Sequence, residues 1–272
     1  AGFGVNMSSS SDKVMIFLQG GGACYNAFTC NPSVNPQNFD PSTLATAATG
    51  GILDRTNAAN PVKDWNYVFV PFCTGDVHAG SANDVAVPGV TGVQQFVGYK
   101  NLGLFLDRIV PTFKNPSHVL HTGVSAGGFG AALTAQLVAD KFPPGTNMTL
   151  IDDSGPPMNQ TVIPACLQHG WRTLWGFDQT FLKDCGADCP DPDNYSIDWS
   201  FHLTKKYPTQ KGGLIESDDD GTISLFYGWG TNDCATPGSA IAANVDAATF
   251  KAGLLDFRSQ ITGKTQNFGT YY

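Results

Sequence analysis

Ser125 is the residue of this sequence best placed for nucleophilic chemistry. It is the central residue of Gly123-Val124-Ser125-Ala126-Gly127, which follows the short apolar run Val119-Leu120 and precedes a helical pattern over 128–142. A serine between glycines at a strand-to-helix turn is typical of a nucleophile elbow, because glycine lets the two backbone segments approach closely and the turn exposes the hydroxyl. The alternative is an ordinary serine in a glycine-rich turn. The pentapeptide therefore predicts an activated serine that attacks a carbonyl carbon.

A triple glycine is the candidate for stabilising the charge that such an attack creates. Gly20-Gly21-Gly22 follows the apolar run Val14 to Leu18. Backbone N–H groups at this position of an α/β-hydrolase face the substrate carbonyl, and the N–H of the residue after the nucleophile, here Ala126, supplies a second donor. A plain glycine turn is the alternative. We predict an oxyanion hole formed by Gly20, Gly21, Gly22 and Ala126.

Two places in the sequence compete for the acid that orients the catalytic base. Asp152 and Asp153 follow the run ending at Ile151, and Asp233 lies shortly after the run Ile223 to Tyr227, which we interpret as a strand. In α/β-hydrolases the chain order is nucleophile, acid, histidine. An acid after a later strand fits that order better, so we predict that Asp233 is the acid.

The catalytic base is the missing member of this set. A serine hydroxyl needs a general base near neutral pH, and histidine is the expected one. No histidine follows Asp233, and the five in the sequence all precede it: His78, His118, His121, His169 and His202. We predict a histidine beyond Tyr272, in which case the mass of the intact protein exceeds that of these residues. Otherwise His78 or His202 becomes the base, or the chain is inactive.

Asp76 and His78 form a polar loop after the run Tyr67 to Phe72, on the side where the site is expected. A histidine there could contact the substrate or the leaving group. A turn capped by the aspartate is the alternative. We predict that both residues help to bind the substrate.

Apolar runs alternate with helical patterns along the whole chain. The runs are 14–18, 67–72, 119–120, 148–151, 223–227 and 268–272, and the helical patterns lie at about 93–113, 128–142 and 247–261. This alternation predicts one α/β domain over 1–272, with a mostly parallel sheet and helices on both faces. The stretch at about 156–214 does not follow this alternation and is rich in tryptophan and cysteine. We therefore predict that it forms a disulfide-containing cap.

Composition excludes several classes of partner. Charged residues make up 14% of the chain and the formal net charge is -8, which disfavours nucleic acid. No apolar stretch is long enough to span a bilayer. Seven cysteines without a CxxC pair indicate disulfides rather than zinc, and hence a secreted, extracellular or periplasmic protein. Cys24 with Cys30 is the pair we favour, and we expect a monomer.

Three motifs together make the similarity specific. LQGGGAC, PFCTGDVHAG and GVSAGGFGAAL, in this order, resemble the pectin acetylesterase and Notum-like family of serine carboxylester hydrolases. The resemblance covers nearly the whole chain. It implies an α/β-hydrolase fold, catalysis without a cofactor or metal, Ser125 as the nucleophile, and an oxyanion hole at Gly20–Gly22 with Ala126. It also places the acid near Asp233 and the histidine shortly after a last strand.

Two functions remain open at the level of sequence. The first is a secreted serine esterase that acts on acetylated polysaccharide, or on lipid-type or polyester acyl groups. The few basic residues argue against a polyanionic pectin surface, and the aromatic cap favours an apolar acyl or aryl group. The second is a catalytically inactive hydrolase fold that binds carbohydrate or protein, which only the missing histidine supports.

Overall fold

The structure is a computed structural model that describes residues 1–34, 42, 50–235 and 243–272. A seven-stranded sheet forms its centre, in the order β1-β3-β2-β6-β7-β8-β9, and a two-stranded sheet pairs β4 with β5. Only β1 runs antiparallel within the large sheet. The strands are β1 (Gly4–Asn6), β2 (Val14–Leu18), β3 (Asn66–Val70), β4 (Ala82–Val85), β5 (Gln94–Phe96), β6 (Val119–Val124), β7 (Met148–Asp153), β8 (Lys211–Ile215) and β9 (Phe268–Tyr271).

The helices that the pattern predicted are present. Three long ones occupy the predicted regions, and shorter helices lie mainly between β7 and β8. In chain order they are α1 (Ala27–Ser33), α2 (Gly98–Thr112), α3 (Ala126–Lys141), α4 (Ala165–Trp175), α5 (Phe181–Cys185), α6 (Tyr195–Lys206), α7 (Gly221–Tyr227) and α8 (Ala247–Lys264). None of the helices in the described ranges combines the length and apolar character needed to cross a bilayer.

Burial explains why the strands read as continuous apolar runs. All five residues of β2 are buried, because β2 pairs with β3 on one side and β6 on the other and both of its faces are covered. Ile16 packs with α2 and α3, whereas Phe17 packs on the other face against Val62. The predicted α/β fold with a mostly parallel sheet is confirmed. The long helices pack on one face of the sheet, and residues 52–65 cover part of the other face.

Two neighbouring elements differ from the prediction. The run 223–227 is helix α7 and not a strand, because Asp220 caps its first turn by accepting hydrogen bonds from the backbone N–H groups of Thr222 and Ile223. The strand in this region is β8, whose sequence Lys-Gly-Gly-Leu-Ile carries only two large apolar residues. The predicted cap at 156–214 therefore ends earlier, since 211–214 belong to the sheet.

Disulfides tie the insertion between β7 and β8. Cys24 pairs with Cys30, as predicted, and the other two bridges are Cys185–Cys189 within the insertion and Cys166–Cys234 between α4 and the turn after α7. Cys73 is the remaining free thiol. The insertion thereby lies over the carboxyl ends of the strands, where α/β sheets bind their ligands.

Candidate active site

Ser125 lies at the junction of β6 and α3 in a strained backbone conformation. Its φ is 57° and its ψ is -123°, values that a residue with a side chain rarely adopts. The Ser125 N–H donates to the carbonyl of Asp153 at 2.8 Å, and its carbonyl accepts from the N–H of Phe129 at 3.0 Å. These two bonds hold the residue between the end of β7 and the first turn of α3. The geometry is that of a nucleophile elbow.

Glycines permit the close approach of backbone that this turn needs. A β-carbon at Gly127 would collide with the carbonyl of Leu18 at the end of β2. A β-carbon at Gly20 would lie 2.6 Å from the carbonyl oxygen of Val124 and 3.2 Å from the β-carbon of Ser125. The triple-glycine segment therefore lies directly against the nucleophile, and its role as an oxyanion hole stays a prediction.

Several backbone N–H groups lie beside Ser125. The first intrahelical bond of α3 is donated by Phe129, so the N–H groups of Ala126, Gly127 and Gly128 have no acceptor within the helix. They form the positive end of the helix dipole. Gly22, with a φ of 83°, and Ala126 both line the pocket that opens at Ser125, whereas Gly21 packs on the ring of Phe72.

An aromatic pocket opens at Ser125. It encloses about 790 Å³ of empty space, part of it open to solvent, and its surface is mostly carbon. The insertion and α7 supply most of its wall. Its large apolar lining residues are Phe129, Leu133, Ile163, Trp171, Trp175, Phe177, Tyr195, Trp199, Ile223, Phe226 and Tyr227. The last three belong to α7, where the sequence predicts a strand.

Asp76 and His78 are buried and do not belong to the lining of this pocket, whereas Val77 between them lines it. The Asp76 side chain is fully buried and accepts hydrogen bonds from the Thr74 hydroxyl at 2.6 Å and the Gly98 N–H at 2.7 Å. Burial raises its pKa. His78 donates to the Gln19 carbonyl at 2.8 Å, and burial lowers its pKa to about 4. Both residues shape the loop that contains Val77, and their contact with substrate stays a prediction.

Each of the five histidines is hydrogen-bonded to a group other than Ser125. None of them belongs to the pocket lining in the described part of the chain. Burial lowers the pKa of His121 to about 3. The partners are Gln19 for His78, Thr149 for His118, Thr134 for His121, Asp193 for His169, and Asp188 with Gln136 for His202. The structure therefore assigns none of the five an evident role as base.

Asp233 lies in an exposed turn after the 3₁₀ turn Gly228–Gly230 and not at the end of a strand. Its φ is 55°, and its N–H donates to the Gly230 carbonyl at 3.2 Å. The neighbouring Cys234 forms a bridge to α4. The strand on which its selection rested is absent, and Asp233 is not among the described residues that line the pocket.

The carboxyl groups that do follow strands lie at the ends of β7 and β8. Asp152 is buried, and burial together with the nearby Glu216 raises its pKa well above the usual range. Glu216 directly follows β8, and burial raises its pKa to about 8. Asp220 follows four residues later, as the cap of α7. Sequence reading missed Glu216 and Asp220, although Glu216 is the only glutamate in the chain and Asp220 begins a helix-cap pattern.

The described ranges contain no group of three or more histidine, cysteine or acidic side chains arranged to hold a metal ion.

A parallel sheet that carries a serine at a strand-to-helix crest, with free amides beside it and a pocket above, fits the α/β-hydrolase class.

Comparison with known proteins identifies the family. The family model described as Pectinacetylesterase matches residues 2–183, about two thirds of the chain. The chain belongs to this family.

Curated relatives carry the name palmitoleoyl-protein carboxylesterase NOTUM. The protein from Schmidtea mediterranea is 31% identical over 133 residues, which cover 46% of this chain and 24% of the relative. The Homo sapiens protein is 30% identical over 152 residues, covering 52% and 29% respectively. The Drosophila melanogaster protein is 25% identical over 234 residues, covering 79% and 34%. The chain thus matches only about a quarter to a third of the length of these relatives.

Solved structures show a similar fold. A crystal structure of the Wnt deacylase Notum from Drosophila superposes with a TM-score of 0.62 and 17% sequence identity, covering all of this chain and 80% of that one. A second crystal form superposes equally well, at 18% identity. These likenesses establish the architecture of the chain.

Proposed function

We propose that this chain is a serine carboxylester hydrolase that works through an acyl-enzyme intermediate. The observation that carries the proposal is the placement of Ser125 at a strained crest, at the mouth of an apolar pocket and at the amino end of α3. The names of its relatives support esterase or deacylase chemistry.

The reaction follows from the groups around Ser125. Its hydroxyl oxygen attacks the ester carbonyl while the hydroxyl proton passes to the base, and the charge that develops on the carbonyl oxygen is stabilised by the N–H of Ala126 and by N–H groups of the Gly20–Gly22 segment. The alcohol then leaves with a proton from the base. In the second half of the reaction water attacks the acyl-enzyme and gives a proton to the base, the carboxylic acid leaves, and the base returns the proton to the serine oxygen.

We further propose Asp220 as the acid in place of Asp233. It follows β8, the second strand after the nucleophile, which agrees with the chain order of α/β-hydrolases. One oxygen of its carboxylate is held by the N–H groups of Thr222 and Ile223 at 2.8 and 2.7 Å, so the side chain has a defined direction. Asp233 is the alternative that a matched variant can test.

The base is an imidazole, and each of the five histidines is engaged elsewhere. The end of β9 lies beside the end of β8, because the Glu216 N–H donates to the Tyr271 carbonyl at 2.9 Å. A histidine shortly beyond Tyr272 would therefore lie close to the turn that carries Asp220. We retain that residue as our proposal for the base.

The pocket favours an apolar acyl group over acetate on a charged polysaccharide. Its wall is built from aromatic and aliphatic side chains, and the chain carries a net charge of -8. Burial of apolar surface stabilises a bound acyl chain by about 0.8 kcal/mol per methylene. Relatives named for palmitoleoyl-protein substrates support the same substrate class. Three disulfides support secretion, and the monomeric state stays a prediction.

Replacement of Ser125 by alanine tests the proposed function directly. Hydrolysis of p-nitrophenyl butyrate should fall by about 10³-fold or more, because no other group takes over the attack. A fluorophosphonate should label the wild-type protein on the peptide containing Ser125 and should not label the variant. The matched control is Ser117→Ala, which should retain activity. Ser117 lies just before the amino end of β6, away from the pocket, and its hydroxyl donates a hydrogen bond to the Asp12 carboxylate.

The inactive binding fold is the competing function, supported by the engagement of all five histidines. Absence of both ester hydrolysis and labelling in a folded wild-type protein would favour it. Equal hydrolysis by wild type and Ser125→Ala would eliminate Ser125 as the nucleophile.

A further inference from the structure

A second cavity lies next to the pocket at Ser125. It encloses about 730 Å³ of empty space, part of it open to solvent, and its surface is mostly carbon. The disulfide Cys166–Cys234 forms part of its wall. The large apolar side chains that line it are Tyr25, Pro88, Leu167, Trp171, Leu174 and Trp229.

Trp171 separates the two cavities. Among the described residues it alone lines both of them. Its indole stacks on that of Trp175, with ring centroids 5.9 Å apart and an interplanar angle of 4°, and it meets the ring of Tyr25 edge-on at 5.9 Å. Trp171 is therefore a wall that the two cavities share, and ring contacts hold it in place.

The indole of Trp171 lacks the polar contact that holds the other tryptophans of the pocket. Trp175 donates its ring N–H to the Cys24 carbonyl at 2.8 Å, and Trp199 donates to the Ala132 carbonyl at 2.9 Å. The ring nitrogen of Trp171 is buried without a hydrogen-bond partner. Buried indole N–H groups usually have one. Rotation of this ring therefore breaks no hydrogen bond.

We propose that the second cavity is a distal subsite for the end of a long acyl chain, and that Trp171 is the partition that limits its use. This inference rests on the proposed function, since the pocket at Ser125 must hold the first part of the acyl chain. An alkyl chain suits the second cavity because the cavity's surface is almost free of polar atoms. Because the two cavities share the wall formed by Trp171, the far end of the acyl chain held in the first cavity is the natural occupant of the second.

Two substitutions change the subsite in opposite directions. Trp171→Ala removes the partition and joins the cavities. Gly170→Leu adds a bulky side chain to the wall of the second cavity: Gly170 lines it, and a β-carbon added there meets no atom within 4 Å. Leucine is also the better helix former at this position in α4. Trp65→Ala is the control, because Trp65 packs on His118 at the amino ends of the strands.

The measurement is kcat/KM for a series of p-nitrophenyl esters from acetate to palmitate. We expect the palmitate-to-butyrate ratio to rise about tenfold in Trp171→Ala, the factor expected when nearly two more methylenes are buried. Gly170→Leu should lower the ratio by a similar factor, and Trp65→Ala should leave it unchanged. An unchanged ratio in a folded Trp171→Ala protein overturns the proposal. If Trp171→Ala does not fold, an unchanged palmitate-to-butyrate ratio in Gly170→Leu overturns the proposal instead.

A binding measurement separates this proposal from the proposed function. Ser125→Ala, which cannot form an acyl-enzyme, is titrated with palmitate by calorimetry, alone and combined with Gly170→Leu. Weaker binding by about tenfold in the combined variant supports the subsite, even where the wild type hydrolyses no ester. Equal palmitate affinity in the two proteins overturns the proposed subsite. It does not bear on the proposal that Ser125 is the nucleophile of an esterase.

Discussion

Glu216 should make the stability of this protein fall as the pH rises. It is the only glutamate in residues 1–272, and the residue is 4% exposed at the end of β8. Burial raises its pKa from 4.5 to about 8, and the nearby Asp220 and Asp153 carboxylates add to the shift. The folded protein therefore keeps this carboxyl protonated at neutral pH, whereas the unfolded chain releases the proton. The perturbation that isolates the effect is Glu216→Gln, which keeps a neutral group of similar shape.

The magnitude follows from the two pKa values. Because the pKa is raised in the folded state, the stabilisation is complete below about pH 4.5 and is lost as the pH rises through about 8. Each unit of pKa difference corresponds to about 1.4 kcal/mol. Between about pH 5 and pH 7 the wild type should lose roughly 2 kcal/mol relative to Glu216→Gln, after allowance for solvent screening. Asp152, whose pKa burial also raises, contributes to the pH dependence of both proteins.

Two measurements check this expectation. Urea unfolding of both proteins across this pH range should give a free-energy difference that grows with pH. In a protein labelled with ¹³C-glutamate, the side-chain carboxyl signal that disappears in Glu216→Gln belongs to Glu216, and its chemical shift should titrate near pH 8. A titration near pH 4.5, or unfolding free energies that keep a constant difference from pH 5 to pH 7, would refute the reasoning.

Three further predictions concern the acid, the elbow and a disulfide. Asp220→Asn should lower kcat for p-nitrophenyl butyrate by about 10²-fold to 10⁴-fold, while Asp233→Asn stays near wild type; the reverse result restores Asp233 as the acid. Gly127→Ala should lower the unfolding free energy by about 2–4 kcal/mol, measured in urea, since its β-carbon meets a β2 carbonyl; wild-type stability contradicts this. Cys166→Ser with Cys234→Ser opens a link spanning 68 residues and should cost about 4 kcal/mol in the same assay; an unchanged midpoint argues against the bridge.

Local signals in the sequence predicted much of the fold correctly. The buried run 14–18 is β2, because a strand covered on both faces needs apolar residues at every position. The pentapeptide around Ser125 predicted the elbow, because only glycine fits where β6, β2 and α3 approach each other. Cys24 and Cys30 were paired correctly from their proximity in sequence.

The same signals failed between 211 and 233. The sequence does not predict β8, because two of its five residues are glycines and the apolar run is short. The glycine at 212 has a tertiary cause: a β-carbon there would collide with the ring of Phe268 in the neighbouring strand β9. The run 223–227 is short enough to suit a strand or a helix, and the Asp220 cap decided for the helix. The strand that favoured Asp233 over Asp152 and Asp153 is therefore absent, although no observation tests the role of Asp233 itself.

The sequence by itself determined the local features: the crest at Ser125, the glycines beside it, five of the seven strands of the central sheet (β2, β3, β6, β7 and β9) and the nearest disulfide. These depend on backbone sterics and on patterns within a few residues. Only the tertiary structure decided which distant residues meet: Trp171 between two cavities, Glu216 buried at the end of β8, and all five histidines engaged outside the pocket. The physical reason is that burial, pKa and cavity walls depend on neighbours that are far apart along the chain.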